Sequence, residues 1–415
     1  MKLKACLGFI LFISVLGFYG ASYAFHSGGV GECVGCHSMH EPAGEYLLVG
    51  TDQSSTCLSC HEYAGDTGPS SYHISTAESD MPAGSAPKQR TPGGDFGWLK
   101  KSYTMTIRGT TSTEAGETHG HNIIAVDKNY VADSDNAISP GGSYPANKLA
   151  CVSCHDPHGK YRRLGNGTIA ITGAPIIESG SYHNSPDPVN NVSAVGVYRL
   201  LGGIGYTTSL INGSGVIFSV NPPVAVANAD YNRTEANTMT KVAYGKGMSK
   251  WCATCHPAMH TDSGVLTHPV DDTFGSKIAN TYNKYVKTGD MSGSQTNSFL
   301  SLVPYEENST GYPNLKKIAG MSGTRISGPA STAHVFCLSC HRAHASGFPE
   351  MTRWNNEGEF ITYNGLWPGT DTTPSYPQFA RGRLSIETLA AYYDIRASKF
   401  ASYQRSLCNK CHEKD

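Results

Sequence analysis

Cys33-Val34-Gly35-Cys36-His37 is the first of six stretches in this 415-residue chain that share the spacing Cys-x-x-Cys-His. We number these motifs 1 to 6 in chain order. Their cysteine pairs are Cys33 and Cys36, Cys57 and Cys60, Cys151 and Cys154, Cys252 and Cys255, Cys337 and Cys340, and Cys408 and Cys411. The histidines that follow the pairs are His37, His61, His155, His256, His341 and His412. With 17 His in the chain, a His after all six pairs has chance odds on the order of 1 in 10⁸.

The complete pentapeptide is typical of covalent attachment of c-type haem. Its two thiols add across the haem vinyl groups, and the adjacent His becomes the proximal iron ligand. Structural zinc sites also use Cys-x-x-Cys pairs, but they do not need a His directly after each pair. A thioredoxin-like redox site needs one such pair rather than six. The sequence therefore predicts six covalently bound haem c groups.

The first 24 residues read as a secretory signal peptide. Lys2 and Lys4 form a basic start, Leu7 to Phe18 an apolar core, and Ser22-Tyr23-Ala24 a cleavage site of small residues. The apolar core is too short to span a bilayer, so a retained membrane anchor is the weaker alternative. We predict residues 1–24 as signal peptide and residues 25–415 as a single hexahaem cytochrome c domain that is exported and not membrane-embedded.

The cysteine count leaves no thiol for other uses. Cys6 lies within the predicted signal peptide, and the 12 cysteines that remain of 13 are the number that six motifs consume. Exported proteins commonly rely on disulfides for covalent stability. Here we expect haem thioethers to take that part.

Composition predicts a chain with little regular structure. Charged residues make up 16% and apolar residues 39%, with 46 Gly and 22 Pro. Because haem is a large apolar plate, we expect it to supply much of the buried surface in place of a conventional core. The expected fold is therefore mostly irregular, with short helices wrapped around a chain of six haems and little β-structure. Ser385–Phe400 is the best helix candidate, and Gly65–Gly94 and Gly202–Pro223 read as loops.

The charge pattern excludes one class of partner. The formal net charge is −1, and the haem propionates make the complete protein more acidic. The chain has neither a basic patch nor a groove-reading motif, so we expect no binding to nucleic acid.

Eleven further histidines are available as distal iron ligands, with Met as the alternative ligand type. They are His26, His40, His73, His119, His121, His158, His183, His260, His268, His334 and His344. This surplus favours bis-His ligation at most or all of the haems. Four motifs continue to another His only three or four residues after the proximal one, at His40, His158, His260 and His344. So short a segment cannot reach the opposite face of its own haem, but it can reach the iron of a neighbouring one.

Several longer stretches carry a resemblance that haem attachment alone does not require. They are Phe25–Val30, Ala64–Glu78, Pro92–Trp98, Cys154–Arg163, Cys340–Phe348 and Tyr403–His412. Together they resemble the OmcS-like hexahaem cytochromes, which are associated with the outer membrane and polymerise into extracellular conductive filaments. The resemblance runs from the predicted mature N-terminus to the last residues, and it is weakest in Ile204–Asn228 and Trp354–Pro377.

The resemblance implies a set of distal ligands. Eight candidates exist for six positions, namely His26, His40, His73, His121, His158, His260, His268 and His344. His119, His183 and His334 do not match the family's ligand positions. In such filaments the residue that matches His40 ligates a haem of the adjacent subunit. The implied partners are further copies of the chain, other cytochromes and extracellular electron acceptors such as metal oxides.

The leading functional hypothesis is long-range electron transfer through a continuous row of haems at the outer cell surface. A monomeric electron shuttle uses the same chemistry without polymerisation and remains an alternative. A multihaem reductase needs one haem with an open coordination position. Since all six motifs are complete and His is in surplus, we expect no catalytic residue and no enzyme activity.

Overall fold

The computed structural model describes residues 33–62, 73–157, 162–164, 169–170, 176–177, 194–195, 201–207, 213, 215–226, 241–260, 269–319 and 326–412. The predicted signal peptide lies outside these residues. So do four of the histidines considered above, which are His26, His158, His183 and His268. The predicted boundary between signal peptide and mature domain stays a prediction.

The α-helices of the described residues are short. They are α1 Cys33–Cys36, α2 Gln53–His61, α3 Met248–Cys252, α4 Pro257–His260, α5 Gly275–Lys284, α6 Tyr312–Ala319, α7 Pro377–Ala380, α8 Ser385–Ala391 and α9 Asn409–His412. Single 3₁₀ turns occupy Glu45–Leu47, Glu78–Asp80, Phe96–Lys100, Gly116–His119, Val126–Lys128, Ala146–Lys148, Cys151–Ser153, Cys337–Ser339, Pro349–Met351 and Ala397–Lys399. The predicted fold class, mostly irregular with short helices and little β-structure, is confirmed.

The strands form small sheets. They are β1 Tyr103–Ile107, β2 Thr110–Glu114, β3 Arg162–Leu164, β4 Ile169–Ala170, β5 Ile176–Ile177, β6 Ala194–Val195, β7 Ala225–Val226, β8 Ala243–Gly245 and β9 Glu306–Glu307. β1 and β2 form an antiparallel hairpin that pairs Tyr103 with Glu114. A second sheet has the order β4-β3-β6-β5, and a third has the order β7-β8-β9 with β8 and β9 parallel.

Serine residues end the 3₁₀ turns of two motifs. In motifs 3 and 5 the residue before the second Cys is Ser153 or Ser339. The Ser153 hydroxyl accepts from the Ala150 amide at 2.9 Å, and the Ser339 hydroxyl accepts from the Phe336 amide at 3.2 Å. These bonds satisfy amides that a one-turn helix leaves open. A tight turn of this kind brings both cysteines and the following His to one side of the chain.

The hydrophobic core that the side chains form is larger than the composition predicted. The main cluster is rich in aromatic side chains and includes Trp98, Tyr282, Tyr305, Trp354 and Tyr392, all almost fully buried. Trp367 stacks on Tyr392 with ring centroids 4.1 Å apart and an angle of 9° between the planes. Large aromatic side chains bury much area each, so relatively few of them fill this core. The expectation that haem replaces a side-chain core was wrong for this part of the chain.

The helix predicted over Ser385–Phe400 is only half present. α8 ends at Ala391, and the backbone then turns left-handed at Tyr393 (φ 56°) and Asp394 (φ 57°). Asp394 accepts from the Arg90 guanidinium at 2.9 Å, a tertiary contact that a continued helix would not provide. Of the apolar residues in this segment, Tyr392, Ile395 and Phe400 are buried in the main core, and Leu389 packs against it.

A buried ionic network connects the β1–β2 hairpin to the segment before α8. Glu114 bonds the Arg383 guanidinium, and it receives a bond from His119 at 2.7 Å. His119 is fully buried, and its other ring nitrogen donates to the Trp98 carbonyl at 2.9 Å. Burial alone would raise the pKa of Glu114, but the bonds from His119 and Arg383 lower it to about 2. Glu114 therefore stays ionised over the physiological range.

We predict that Glu114→Gln destabilises the fold by about 3 kcal/mol at neutral pH, because it leaves the Arg383 charge buried without its partner. The lowered pKa also fixes the pH dependence: the stabilisation is complete above pH 4.5 and is lost as pH falls through about 2. Chemical denaturation as a function of pH measures both effects. The control Glu359→Gln, in an exposed pair with Arg405, should change stability by about 1 kcal/mol or less. Equal effects of the two substitutions would contradict the assignment.

Candidate haem-binding site

Two pairs of histidines face each other across short gaps. The rings of His155 and His344 have centroids 6.3 Å apart, and those of His256 and His121 are 6.1 Å apart. Each pair combines the proximal His of a motif with a His from the predicted distal set. Their sequence positions are distant, so the fold, rather than local spacing, brings each pair together.

The gaps have the size of a hexacoordinate iron site. A metal–nitrogen bond of about 2.0 Å and about 1.1 Å from that nitrogen to its ring centroid, counted on both sides, give about 6.2 Å. Both observed separations agree with this value. The residues present therefore fit an iron, which His155 and His344 would hold at motif 3 and His256 and His121 would hold at motif 4.

Burial keeps these distal rings neutral. It lowers the pKa of His121 to about 4, despite a hydrogen bond to a backbone carbonyl that acts the other way. It also lowers the pKa of His344 to about 3, with a further contribution from the nearby His155. A neutral imidazole has a lone pair available for a metal, whereas a protonated one does not.

Backbone carbonyls select which ring nitrogen remains for the metal. His121 donates from Nδ1 to Ala343 O at 2.7 Å, and His256 donates from Nδ1 to Pro140 O at 2.8 Å. His37 and His341 make the same bond to carbonyls nine residues further on, at 2.9 and 2.6 Å. Because a carbonyl only accepts, the proton is on Nδ1 and the lone pair is on Nε2. Such second contacts orient metal-binding histidines.

A pair of glycines, Gly93 and Gly94, leaves room for His344 and its neighbour Ala345. The sequence alone did not predict this role. Gly94 has φ 97°, and a Cβ there would meet the Ala345 carbonyl at 1.8 Å. A Cβ at Gly93 would meet His344 Nδ1 at 2.9 Å. The sequence Pro92-Gly93-Gly94 indicates that another part of the chain approaches closely, but it does not indicate which part. Phe96 stacks on the His344 ring with centroids 4.7 Å apart.

The second cysteines of the motifs lie near one another in pairs. Burial raises the pKa of the Cys36, Cys154 and Cys340 thiols, and nearby sulfurs of the next motif raise it further. The neighbours are Cys36 with Cys60, Cys154 with Cys255, and Cys340 with Cys408 and Cys411. Motifs 1 and 2, 3 and 4, and 5 and 6 are therefore adjacent in space through this side.

The first cysteines connect the remaining neighbours. A hydrogen bond between the Cys57 and Cys151 side chains raises the pKa of Cys57, and the corresponding bond to Cys337 raises the pKa of Cys252. Motif 2 thus contacts motif 3, and motif 4 contacts motif 5. Taken together, the six motifs follow one another in space in their sequence order, with contacts alternating between second and first cysteines.

The other described histidines differ in their surroundings. His119 belongs to the Glu114 network, and His334 is buried with Nδ1 donating to Asp271 O at 2.7 Å. His260 places Nε2, the atom that a distal ligand would need, 2.9 Å from the Asp271 carboxylate. His73 is buried, while His40 is exposed. The ligand roles predicted for His40, His73 and His260 stay predictions, as do those of His26, His158 and His268 outside the described residues.

The comparisons with known proteins agree with this arrangement. Residues 26–66 match the family described as the doubled CXXCH motif. Over 418 residues, the chain is 54% identical to the C-type cytochrome OmcS of Geobacter sulfurreducens, with 95% of each sequence covered. The chain belongs to the OmcS family of multihaem c-type cytochromes. Its six motifs therefore carry six covalently bound haems.

Two solved structures resemble the OmcS-family fold described above. One is of OmcS nanowires from Geobacter sulfurreducens, and the other is of the outer membrane cytochrome S filament from the same organism. Each has a TM-score of 0.84, with 53% and 54% identity, and each alignment covers 94% of this chain and 100% of the solved chain. Within the part of this chain that the structure describes, no helix is long and apolar enough to cross a bilayer.

We predict that His121→Ala retains six covalent haems but converts one of them to a high-spin form that binds CO when reduced. The reason is that His121 faces the proximal His256 across a metal-sized gap. Electron paramagnetic resonance and CO difference spectra measure the effect. The control is His119→Ala, two positions away, which should lower stability by about 1–3 kcal/mol and leave all haems low-spin. A low-spin spectrum in His121→Ala would refute the pairing.

Proposed function

We propose that this chain transfers electrons along a continuous row of six bis-His haems, and that copies of it polymerise into extracellular filaments. The observation that carries the proposal is the facing of proximal and distal histidines across metal-sized gaps at motifs 3 and 4. When bound, c-type haem supplies reversible one-electron exchange between Fe(III) and Fe(II). With both axial positions filled, the site offers no coordination position to a substrate, which disfavours the reductase alternative.

The side chains around these positions favour electron transfer over catalysis on a bound substrate. Burial keeps the His121 ring neutral, and carbonyl acceptors fix the ring orientations of His121 and His256. The alternating cysteine contacts keep successive motifs adjacent along the whole row. An electron that enters at motif 1 or motif 6 therefore has a neighbouring site at each step, which supports a continuous and unbranched path.

Polymerisation is supported by a structural repeat within the chain. In motif 1, His37 pairs with Leu48, and Val49 N donates to Cys36 O at 3.0 Å. Motif 5 forms the same hairpin, in which His341 pairs with Thr352 and the Arg353 amide donates to the carbonyl of the second cysteine at 2.7 Å. Motif 3 repeats the pattern, because His155 pairs with Leu201 and the Gly202 amide donates to the Cys154 carbonyl. These three motifs also share a second His three residues after the first.

The repeat indicates where each second His reaches. In motif 5 this residue is His344, and it faces His155, the proximal ligand two motifs earlier. The same offset of two motifs, applied to motif 3, predicts His158 as the partner of His37. Two motifs before motif 1 lies beyond the start of the row. If a preceding copy continues the row, that position is its motif 5.

We therefore propose that His40 ligates the haem at motif 5 of the adjacent subunit, opposite that subunit's own proximal His. The exposure of His40 is compatible with this role. A metal–ligand bond across the boundary fixes the register of successive subunits far more strongly than a surface ion pair. It also extends the row of haems from one copy to the next. The proposed destination of the electrons is an acceptor outside the cell, such as a metal oxide or another cytochrome.

The experiment that tests the electron-transfer proposal combines two measurements on the secreted protein. Intact mass should correspond to the chain from Phe25 onward with six haems. Electron paramagnetic resonance of the oxidised filaments should show only low-spin iron. A mass short of six haems, or a stoichiometric high-spin signal in filaments, would contradict the proposal.

We predict that His40→Ala retains six covalent haems but forms no filaments, and that one haem becomes high-spin. Electron microscopy and electron paramagnetic resonance report the two losses separately. The matched control is Glu45→Gln, an exposed residue of the same hairpin, which should leave assembly and spin state unchanged. The monomeric-shuttle alternative predicts instead that isolated wild-type monomers are fully low-spin and that His40→Ala changes neither property.

A further inference from the structure

Glu306 is a buried carboxylate that the haem-binding geometry above does not use. It is fully buried in β9, where it lies opposite Tyr244 of β8. Its backbone exchanges two hydrogen bonds with His334, at 3.0 and 2.9 Å. Since an ionised carboxylate is costly to bury without a partner, its presence needs a specific explanation.

Both carboxylate oxygens of Glu306 accept from the amides that begin α3. Met248 N donates at 2.7 Å and Gly247 N donates at 3.1 Å. Gly247 has φ 119°, a conformation that favours glycine. The Glu306 carboxylate is therefore bound to the N-terminal end of α3, the helix that ends at the first cysteine of motif 4.

α3 connects this carboxylate directly to the junction of motifs 4 and 5. One turn along the helix, about 6 Å from Met248, lies Cys252, the first cysteine of motif 4. Cys252 contacts Cys337 of motif 5, whose amide also donates to the Ser249 hydroxyl at 3.2 Å. Glu306 thus lies beside two haem attachment points at once.

The charges around Glu306 contrast with those around Glu114. Glu114 contacts two arginines and a histidine. Among the described residues, no cationic side chain lies within ion-pair distance of Glu306.

The titratable side chain that faces Glu306 is Asp271, and His334 is held to Glu306 through backbone bonds. Cys337 and Cys252 also lie nearby, but their sulfurs do not titrate once they are bound to haem. The adjacent Glu307 is paired with Lys241 at 2.6 Å. Burial raises the pKa of Glu306 to about 8, against the lowering effect of the two amides, and Asp271 adds to the increase.

We propose that Glu306 couples proton uptake to electron transfer at motifs 4 and 5. If a haem held at this junction gained one electron from the neighbouring site, its iron would pass from Fe(III) to Fe(II), and the Glu306 carboxylate would take one proton from solvent to become a carboxylic acid. The reverse occurs when the electron leaves. Because the added charges cancel, the junction avoids a net negative charge in a medium of low dielectric constant. The inference rests on the electron-transfer function proposed above, but not on polymerisation.

The sign of the expected effect follows from the charge. An ionised carboxylate stabilises Fe(III) relative to Fe(II), so the reduction potential at this junction should fall as pH rises through about 8. Replacing Glu306 by glutamine keeps an oxygen acceptor for α3 and mimics the protonated acid. Glu306→Gln should therefore hold the potential near its low-pH value at every pH.

The test is a spectroelectrochemical redox titration of the six-haem protein at a series of pH values on both sides of 8. Wild type should show one or two haems whose potential falls with pH in this window, and Glu306→Gln should lose that dependence. Glu307→Gln is the matched control, because it removes a neighbouring negative charge and should shift the potential while retaining the pH dependence. Wild type without the dependence, or Glu306→Gln with it, would overturn the proposal.

An infrared measurement on wild type gives an independent result if Glu306→Gln does not assemble. The redox difference spectrum near pH 8 should show the carbonyl band of a carboxylic acid that appears on reduction and shifts in D₂O. Absence of the band would overturn the proposal. Spin state and haem count, measured on the same samples, report separately on the electron-transfer function, so failure of one proposal is distinguishable from failure of the other.

Discussion

The meeting of two histidines that are distant in the sequence, across a gap that fits an iron, is the constraint on which the rest of this structure depends. The proximal His of a motif is positioned by a single tight turn, but its partner comes from another part of the fold. His344 reaches motif 3 from motif 5, and His121 reaches motif 4 from the segment after β2. Each such pair brings two segments together, and a metal held between the rings would connect them. A protein with so little regular secondary structure depends on these connections in addition to its aromatic core.

The same constraint explains the details around each ligand. Carbonyl acceptors on Nδ1 leave Nε2 for the metal, and burial keeps the rings neutral. The Gly93-Gly94 pair allows the chain to approach His344 more closely than any side chain would permit. The backbone pairing shared by motifs 1, 3 and 5 then repeats the arrangement along the row. The proposed reach of His40 beyond its own chain provides a physical reason for head-to-tail assembly.

Much of the chemistry was predictable from the sequence because haem attachment is encoded locally. A motif of five residues specifies two thioethers and a proximal ligand, whatever surrounds it. The identity of each distal partner is a tertiary property: His121 and the Ala343 carbonyl that orients it are 222 residues apart. The aromatic core was underestimated for a related reason, since its members are scattered singly between loops. Likewise, the end of α8 at Ala391 follows from the turn at Tyr393 and Asp394, whose partner Arg90 no local pattern indicates.

The most direct test of this account is a high-resolution cryo-electron microscopy map of the filaments, because it identifies the two ligands of each iron. The account predicts iron at motif 3 between His155 and His344 and iron at motif 4 between His256 and His121, each within about 2 Å of both Nε2 atoms. It also predicts that the motif 5 iron is ligated by His40 of the adjacent subunit. A map in which either internal pair is replaced by another His or by Met would contradict the account.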